Sequence, residues 1–528
     1  MDVLLTERKV KRARAMRIPT LLEFERSGYS RMMPGPMPML SREELLDIES
    51  PLLAPRNRHI SRREAGREQA PMGQGGVDPA LLSLLERTTF GFSQSAYDDA
   101  AAMGYEAYLE SQLDPASIDD SEIDAMLAPF DTLPMTGQEI YDTYPNMLGV
   151  PATQLIDATI LRGILSKRQL LERMVQFWTD HFNINMLDGL VPYFKNTDDR
   201  EVIRQYALTT FPQLLNASAK SAAMLYYLDN YANIVGHAQE NYARELMELH
   251  TMGVNGGYTQ TDVEEVARCF TGWTIYFSPQ LGEFVFYEPY HDFEAKTVLG
   301  QFIPAGGGES DAQTVLDILA HHPSTAEFIA RKLCTRFVGY DPPEDIVQSV
   351  KATYLATGGD IKAMLRVILQ RNVITYLTTP KFKRPFHLVA SMLRATNADI
   401  LSIGLARNNL VVMGHAPFLW GTPDGYPDTL EAWGSALLLR WGFASALFDG
   451  TLSGITVDAP GLLAAAGGND PASGTQGTDI DMILTGGRLN PAEVSALQQY
   501  YNDVAAQGPP AVNDTFGLAA SVPGFQWY

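Results

Sequence analysis

The feature that most constrains the fold is a charged segment at positions 239–273. Its pattern predicts a helix, a glycine-rich turn and a second helix. At about 100° per residue in an α-helix, Arg244, Glu245 and Glu248 fall on one side of the first helix. Leu246 and His250 fall on the other side. The sequence therefore predicts a helix with one compact polar cluster and one apolar face.

The second helix of this segment carries its own start signal. Thr259 followed by Asp262 fits the capping-box pattern, which predicts a helix beginning near Gln260. Most other apolar runs also have helical spacing, and only positions 274–288 alternate like strands around a proline and glycine turn. The predicted fold class is mainly α, a large multi-helix domain with one short antiparallel β-hairpin.

The polar cluster of the first helix permits two interpretations. Arg244 and Glu248 are spaced for an ion pair, so the cluster can be an ionic lock within the helix pair. Glu245 and Glu248 are three residues apart, and carboxylates at that spacing can also converge on a metal or share a proton. Both interpretations remain open from the residues alone.

Two histidines lie at the margins of apolar segments. His181 follows the predicted core stripe of a long helix over positions 152–183, where it can be a buried histidine, a ligand or a general base. His291 and Asp292 follow the predicted hairpin directly. We expect both groups and the two glutamates to converge on one cavity, because buried polar groups must satisfy one another or a ligand.

Composition limits the class of protein and its partners. The chain has 528 residues with 40 basic and 62 acidic side chains, giving a net charge of −22, which makes nucleic acid an unfavourable partner. No apolar run is long enough for a transmembrane helix. We predict an extended basic N-terminal strap over 1–78, a helical core over 79–450 and a wrapping C-terminal tail over 451–528.

The first residues do not form a secretory signal. Charged residues at the start are not followed by an apolar run of the length that export requires. The default expectation is a cytoplasmic protein, and the alternative is export together with a partner that carries a signal.

Several motifs together indicate a family. They are LLERMVQFWTDHFNIN at 170–185, ENYARELMELHTMGVNGG at 240–257, HHPSTAEFIARKL at 321–333 and GHAPFLWGTPDGYP at 414–427. With these motifs the chain resembles the bacterial family called domain of unknown function 1800 over about residues 80–450. The resemblance implies a predominantly helical protein, commonly exported. It also implies a sulfatase-like partner from the family called domain of unknown function 1501.

The expected function is a metal-dependent or acid–base enzyme, hydrolytic in type, acting with the sulfatase-like partner. Its catalytic candidates are His181, Arg244, Glu245, Glu248, and the pair His291 and Asp292. Of these, His181, Glu245, Glu248 and His291 could ligate a divalent metal such as zinc, manganese, iron or calcium. The alternative is a non-catalytic binding or assembly protein in which the Arg/Glu cluster is a structural lock.

Overall fold

Helices form most of the structure, as the spacing of apolar residues predicts. The computed structural model describes residues 39–53, 77–277, 280–468 and 470–528. The mainly α fold class is confirmed, because each apolar stripe needs a neighbouring stripe to cover it and helices supply those faces.

Thirteen α-helices precede the strands in the described part of the chain. They are α1 (Arg42–Asp47), α2 (Pro79–Thr88), α3 (Gln94–Met103), α4 (Tyr105–Leu113), α5 (Ser121–Met126), α6 (Gly137–Thr143), α7 (Gly149–Leu165), α8 (Gln169–His181), α9 (Val191–Thr197), α10 (Phe211–Ala219), α11 (Ala222–Tyr227), α12 (Glu240–Glu245) and α13 (Gln260–Cys269). Two π-helical segments, Asp198–Arg204 and Leu246–Thr251, continue α9 and α12 respectively.

The remaining helices follow the first four strands. They are α14 (Glu309–Ala320), α15 (Pro323–Phe337), α16 (Glu344–Thr357), α17 (Ile361–Ile368), α18 (Arg371–Tyr376), α19 (Pro385–Ala395), α20 (Gly404–Val412), α21 (Leu430–Trp433), α22 (Leu437–Phe448), α23 (Ala459–Ala465), α24 (Gln476–Thr485), α25 (Pro491–Val504) and α26 (Pro509–Ala519).

Short antiparallel strand pairs connect some of the helices. The predicted hairpin is present, with β1 (Trp273–Ile275) paired to β2 (Phe284–Phe286). Two further short pairs accompany it: β3 (Lys296–Val298) pairs with β4 (Gln301–Ile303), and β5 (Asp399–Ile400) pairs with β6 (Ile455–Thr456). Segments of two or three residues are too short to show an alternating pattern in sequence.

The start of α13 follows its sequence signal. The Thr259 hydroxyl accepts a hydrogen bond from the amide of Asp262, and the Asp262 carboxylate accepts one from the amide of Thr259. The long helix expected over 152–183 is instead two helices, α7 and α8, because Ser166 takes an extended conformation that ends α7.

The terminal segments pack on the helical body. Most of the predicted strap over 1–78 lies outside the described residues, but residues 39–53 form α1 and bury Leu45 against the core. The predicted tail contains α23 to α26, and α26 packs against α22. Among the helices that the structure describes, none combines the length and the apolar character that spanning a bilayer demands.

The loop at 414–429 covers the end of α8 through a glycine. Gly425 has φ of 74°, and a Cβ atom built there would lie 1.9 Å from the carbonyl oxygen of Asp180. Because the clash is with backbone, a side chain at this position would force the loop away from α8. Gly421 lies in the same loop, has φ outside the left-handed region, and would place a Cβ atom in open space.

We expect Gly425→Ala to lower the free energy of unfolding by more than about 1 kcal/mol, from positive-φ strain and from the backbone clash. Gly421→Ala is the matched control and should change stability by less than about 0.5 kcal/mol. Denaturant unfolding of both variants measures the difference. Equal stability of the two variants would show that the loop does not depend on close approach at Gly425.

Candidate functional site

His181 is buried at the end of α8 and makes two hydrogen bonds. Its Nδ1 accepts from the ammonium of Lys332 at 2.9 Å, and its Nε2 donates to the carbonyl oxygen of His250 at 3.0 Å. Burial, together with the cation of Lys332, keeps the pKa of His181 well below its ordinary range. His181 is therefore a neutral imidazole with a fixed tautomer.

Lys332 and His250 complete this group, which we call the His181 pair site. Lys332 comes from α15 and is partly exposed, and burial of its stem lowers the pKa of the amine to about 8. His250 is buried in the π-helical segment after α12, where burial lowers its pKa to about 3. Its Nε2 has no hydrogen-bond partner within the described residues. The π-helical register brings this histidine to within 6.1 Å of His181, between ring centroids.

Arg244, Glu245 and Glu248 lie near the surface. Arg244 is less buried than an ionic lock would require, because 39% of its side chain is exposed. Arg244 pairs with Glu240 at 2.8 Å and also donates to the side chain of Gln260, so the ion pair forms with Glu240 rather than with Glu248. Burial and the carboxylate of Glu248 raise the pKa of the neighbouring Tyr258. The Arg/Glu cluster is a half-exposed helix face rather than a buried lock.

His291 and Asp292 belong to a separate ionic cluster between α13 and α14. His291 is buried, with Nδ1 2.7 Å from the carbonyl oxygen of Thr271 and Nε2 3.2 Å from the carboxylate of Asp311. Asp292 accepts from Arg268 at 2.7 Å, which helps to hold its pKa below the usual range although partial burial opposes this. These contacts fix the loop after the hairpin.

The two histidines predicted to share a site bond to different residues. Within the described parts of the chain, the hydrogen-bond partners of His181 and those of His291 have no residue in common. The same described residues contain no group of three or more His, Cys, Asp and Glu side chains that could hold a metal ion. The donor set His181, Glu245, Glu248 and His291 therefore does not fit a divalent metal. Each group instead finds partners in its own neighbourhood, which removes the need for a shared ligand.

Buried ion pairs lie at positions that the sequence does not single out. Arg407 of α20 bonds to Asp157 of α7 at 2.9 Å, and both side chains are almost fully buried. Arg204 bonds to Asp199 at 2.7 Å and to Glu172 of α8 at 2.8 Å. A charged residue within an apolar helix is the only sequence signal for such a pair, and it does not reveal the partner.

We expect Arg407→Ala to lower the free energy of unfolding by about 3–5 kcal/mol, because Asp157 would keep a buried charge without its partner. Arg244→Ala should cost less than about 1 kcal/mol, since its ion pair is half exposed. Denaturant unfolding of both variants at one pH measures the contrast. Similar losses in the two variants would contradict this assignment of the structural lock.

The same Arg407 variant should show a distinct pH dependence. Burial already raises the pKa of Asp157 to about 6, despite the opposing effect of Arg407, and removing Arg407 raises it further. A carboxyl group whose folded pKa lies above its unfolded value destabilises the fold once it ionises. The loss of stability should therefore be smaller near about pH 5 than near about pH 8. A loss that is constant across this range would contradict an unpaired Asp157 as its cause.

Comparison with known proteins gives one informative result. The family model described as Protein of unknown function (DUF1800) matches residues 83–527. Neither the curated proteins nor the solved structures give a match. The match begins near the expected boundary and continues through α23 to α26, beyond the expected end near residue 450. Because the family model covers most of the chain, this protein belongs to the DUF1800 family.

Proposed function

We propose that this protein is a binding or assembly protein that docks a separate protein through an exposed apolar surface on α22. The observation that carries the proposal is a run of outward-facing side chains, which we call the leucine face: Leu437, Leu438, Leu439 and Trp441. Leu438 is 80% exposed, and the other three are between 36% and 43% exposed.

The opposite side of α22 is fixed in the protein core. Phe443, Ala444, Leu447 and Phe448 are buried, so the helix cannot turn its leucines inward without exposing these residues. Leu430 of α21 and Leu518 of α26 are also exposed, at 36% and 38%. Neighbouring exposed apolar side chains favour an interaction surface, whereas a single one would need no explanation.

Charge favours a protein as the occupant of this face. Leu438 lies on a helix without an exposed cation, and the exposed residues Glu431 and Asp449 precede and follow this helix in the chain. With a net charge of −22, the chain would be repelled by anionic lipid headgroups or phosphate backbones. A protein partner with an apolar groove carries no such array of negative charge and is not repelled in this way.

The proposed partner is the sulfatase-like protein of the family called domain of unknown function 1501. The two proteins would form a complex in which the leucine face is buried and the sulfatase-like partner supplies the chemistry. Burying one leucine contributes about 1.5–3 kcal/mol, so a few such contacts are sufficient for a specific complex.

Leu438→Asp should weaken binding of the sulfatase-like partner at least about tenfold, because a carboxylate would be buried in place of an apolar side chain. Affinity is measured by calorimetry or surface binding with the two purified proteins. Leu355→Asp on α16 is the matched control, since Leu355 is also exposed, at 48%, on a different surface. Thermal unfolding of both variants establishes that they fold.

Two results would contradict the proposal. Equal affinities of the Leu438 and Leu355 variants would exclude the leucine face as the docking surface. Failure of the wild-type protein to bind the sulfatase-like partner would exclude that partner.

A second candidate function is acid–base chemistry at the His181 pair site, favoured by the contact between Lys332 and His181. Lys332 is a partly exposed residue, and the lowered pKa of its amine lets it donate a proton near neutral pH. His181 holds the amine in place by accepting one of its hydrogen bonds. The reaction would be a hydrolysis in which Lys332 protonates the leaving group.

Lys332→Met should abolish hydrolysis in a panel of aryl ester and phosphate ester substrates, while Lys351→Met should leave it unchanged. Lys351 is a suitable control because it pairs with Glu327 on the surface. A general acid acts in its protonated form, so the wild-type rate should fall as pH rises through about 8. A rate that is insensitive to Lys332, or that rises across this range, would exclude the role.

A further inference from the structure

Five buried cations surround two carboxylates where α2, α8, α15 and α19 meet. We call this group the cationic cluster: Arg87, Arg173, Arg336, Lys381 and Arg384, with Asp180 and Asp428. Each of the five cations is at most 5% exposed. The carboxylates pair with two of them, Asp428 with Lys381 at 2.7 Å and Asp180 with Arg384 at 2.8 Å.

The other three cations donate hydrogen bonds only to uncharged groups or to Tyr528 within the described residues. Arg87 donates to the carbonyl oxygen of Thr379, and Arg336 donates to the side chain of Gln176. Four guanidinium nitrogens of the cluster are buried without a hydrogen-bond partner within the described residues: Arg87 Nη1, Arg173 Nε, Arg336 Nε and Arg384 Nη2. Buried cations are costly without compensating negative charge, so the cluster favours a further anion.

The side chain of Tyr528 lies inside this cluster. Its phenol oxygen is 3.3 Å from Nη2 of Arg173. The guanidinium groups of Arg87 and Arg173 lie 5.1 Å and 5.4 Å from the centre of its ring, and the ring of His387 lies 4.2 Å away. Burial alone would raise the pKa of Tyr528, but Arg173, Lys381 and Arg336 lower it to about 7.

The backbone joins Tyr528 to the same region. The amide of Lys381 donates to the carbonyl oxygen of Tyr528, and the amide of Tyr528 donates to that of Lys381, both at 2.9 Å. The amide of Lys383 donates to Gln526 at 2.8 Å. Residues 526–528 therefore add a short extended segment beside residues 381–383, with the phenol at its end.

We propose that Tyr528 is a buried tyrosinate, and that this internal anion locks residues 526–528 onto residues 381–383 in a pH-dependent manner. Ionised Tyr528 adds negative charge beside Arg87, Arg173 and Arg336, none of which has a hydrogen bond to a carboxylate within the described residues. Protonation removes that charge and leaves the cations facing a neutral ring, so the segment is released as pH falls.

The pH range follows from the charged groups around Tyr528. Among them the amine of Lys383 also titrates in this range, because burial lowers its pKa to about 7, so loss of the lock is assigned to Tyr528 only where Tyr528→Phe removes it. A phenol whose folded pKa is lowered contributes stability when it is ionised, and this contribution is lost as pH falls through about 7. Asp428 does not titrate in this range, because Lys381 and Arg384 hold its pKa near 2 against the effect of burial. His387 stays neutral, since burial and the surrounding cations keep its pKa well below the ordinary range.

The test is a near-ultraviolet titration of the full chain, in which tyrosinate is detected by its absorbance. The absorbance of the variant Tyr528→Phe is subtracted from that of the wild type at each pH. The difference should show one phenol that ionises with a midpoint about 3 pH units below the ordinary tyrosine value. Tyr242→Phe is the control, since burial raises the pKa of Tyr242 and removing it should change nothing near neutral pH. A difference spectrum in which Tyr528 ionises only near its ordinary value overturns the proposal.

Hydrogen exchange of the wild-type protein tests the lock itself. The protection factors of the Tyr528 and Lys383 amides, corrected for intrinsic exchange, should fall at least about tenfold when the pH is lowered from above the midpoint to below it. Unchanged protection would overturn the lock. If Tyr528→Phe does not fold, the wild-type titration still tests the proposal, because it shows whether one phenol ionises near pH 7, well below the ordinary tyrosine value.

Discussion

Pairing of buried cations is the constraint on which the arrangement of the helices depends. Arg204, Arg384 and Arg407 each lie within largely buried surroundings, and each reaches a carboxylate on a separate element. A buried charge without such a partner is strongly unfavourable, so these pairs fix which helices are neighbours and in what register. The apolar stripes contribute most of the burial, but they are less selective about their partners.

The end of α8 shows how this constraint shapes a candidate site. Asp180 bonds to Arg384, while the next residue, His181, turns to Lys332 and to the backbone of the π-helical segment. Gly425 brings the 414–429 loop against the carbonyl group of Asp180. The buried pair and the tight loop together hold His181 in one orientation. A neutral imidazole beside a partly exposed amine is a consequence of that rigid setting.

The protein contains two kinds of unfavourable group, buried cations in its interior and exposed leucines on its surface. Inside the protein, the cationic cluster collects guanidinium groups around Tyr528, where an anion relieves their repulsion. On the outside, α22 leaves three consecutive leucines in solvent, because its other face is already committed to the core. In our proposals, ionised Tyr528 compensates the cationic cluster, and a partner protein covers the leucine face.

The sequence by itself determined the helical class, the capping box at Thr259 and the hairpin after Trp273, because these depend on periodicity and on residues close in the chain. It also placed His181 at the edge of a buried stripe and Glu245 and Glu248 together on one helix face. Only the tertiary structure decided that Arg244 is half exposed, that His291 pairs with Asp311, and that His250 turns toward His181 in a π-helical segment. These outcomes depend on which distant helix supplies the partner, and a linear pattern of residues does not encode that choice locally.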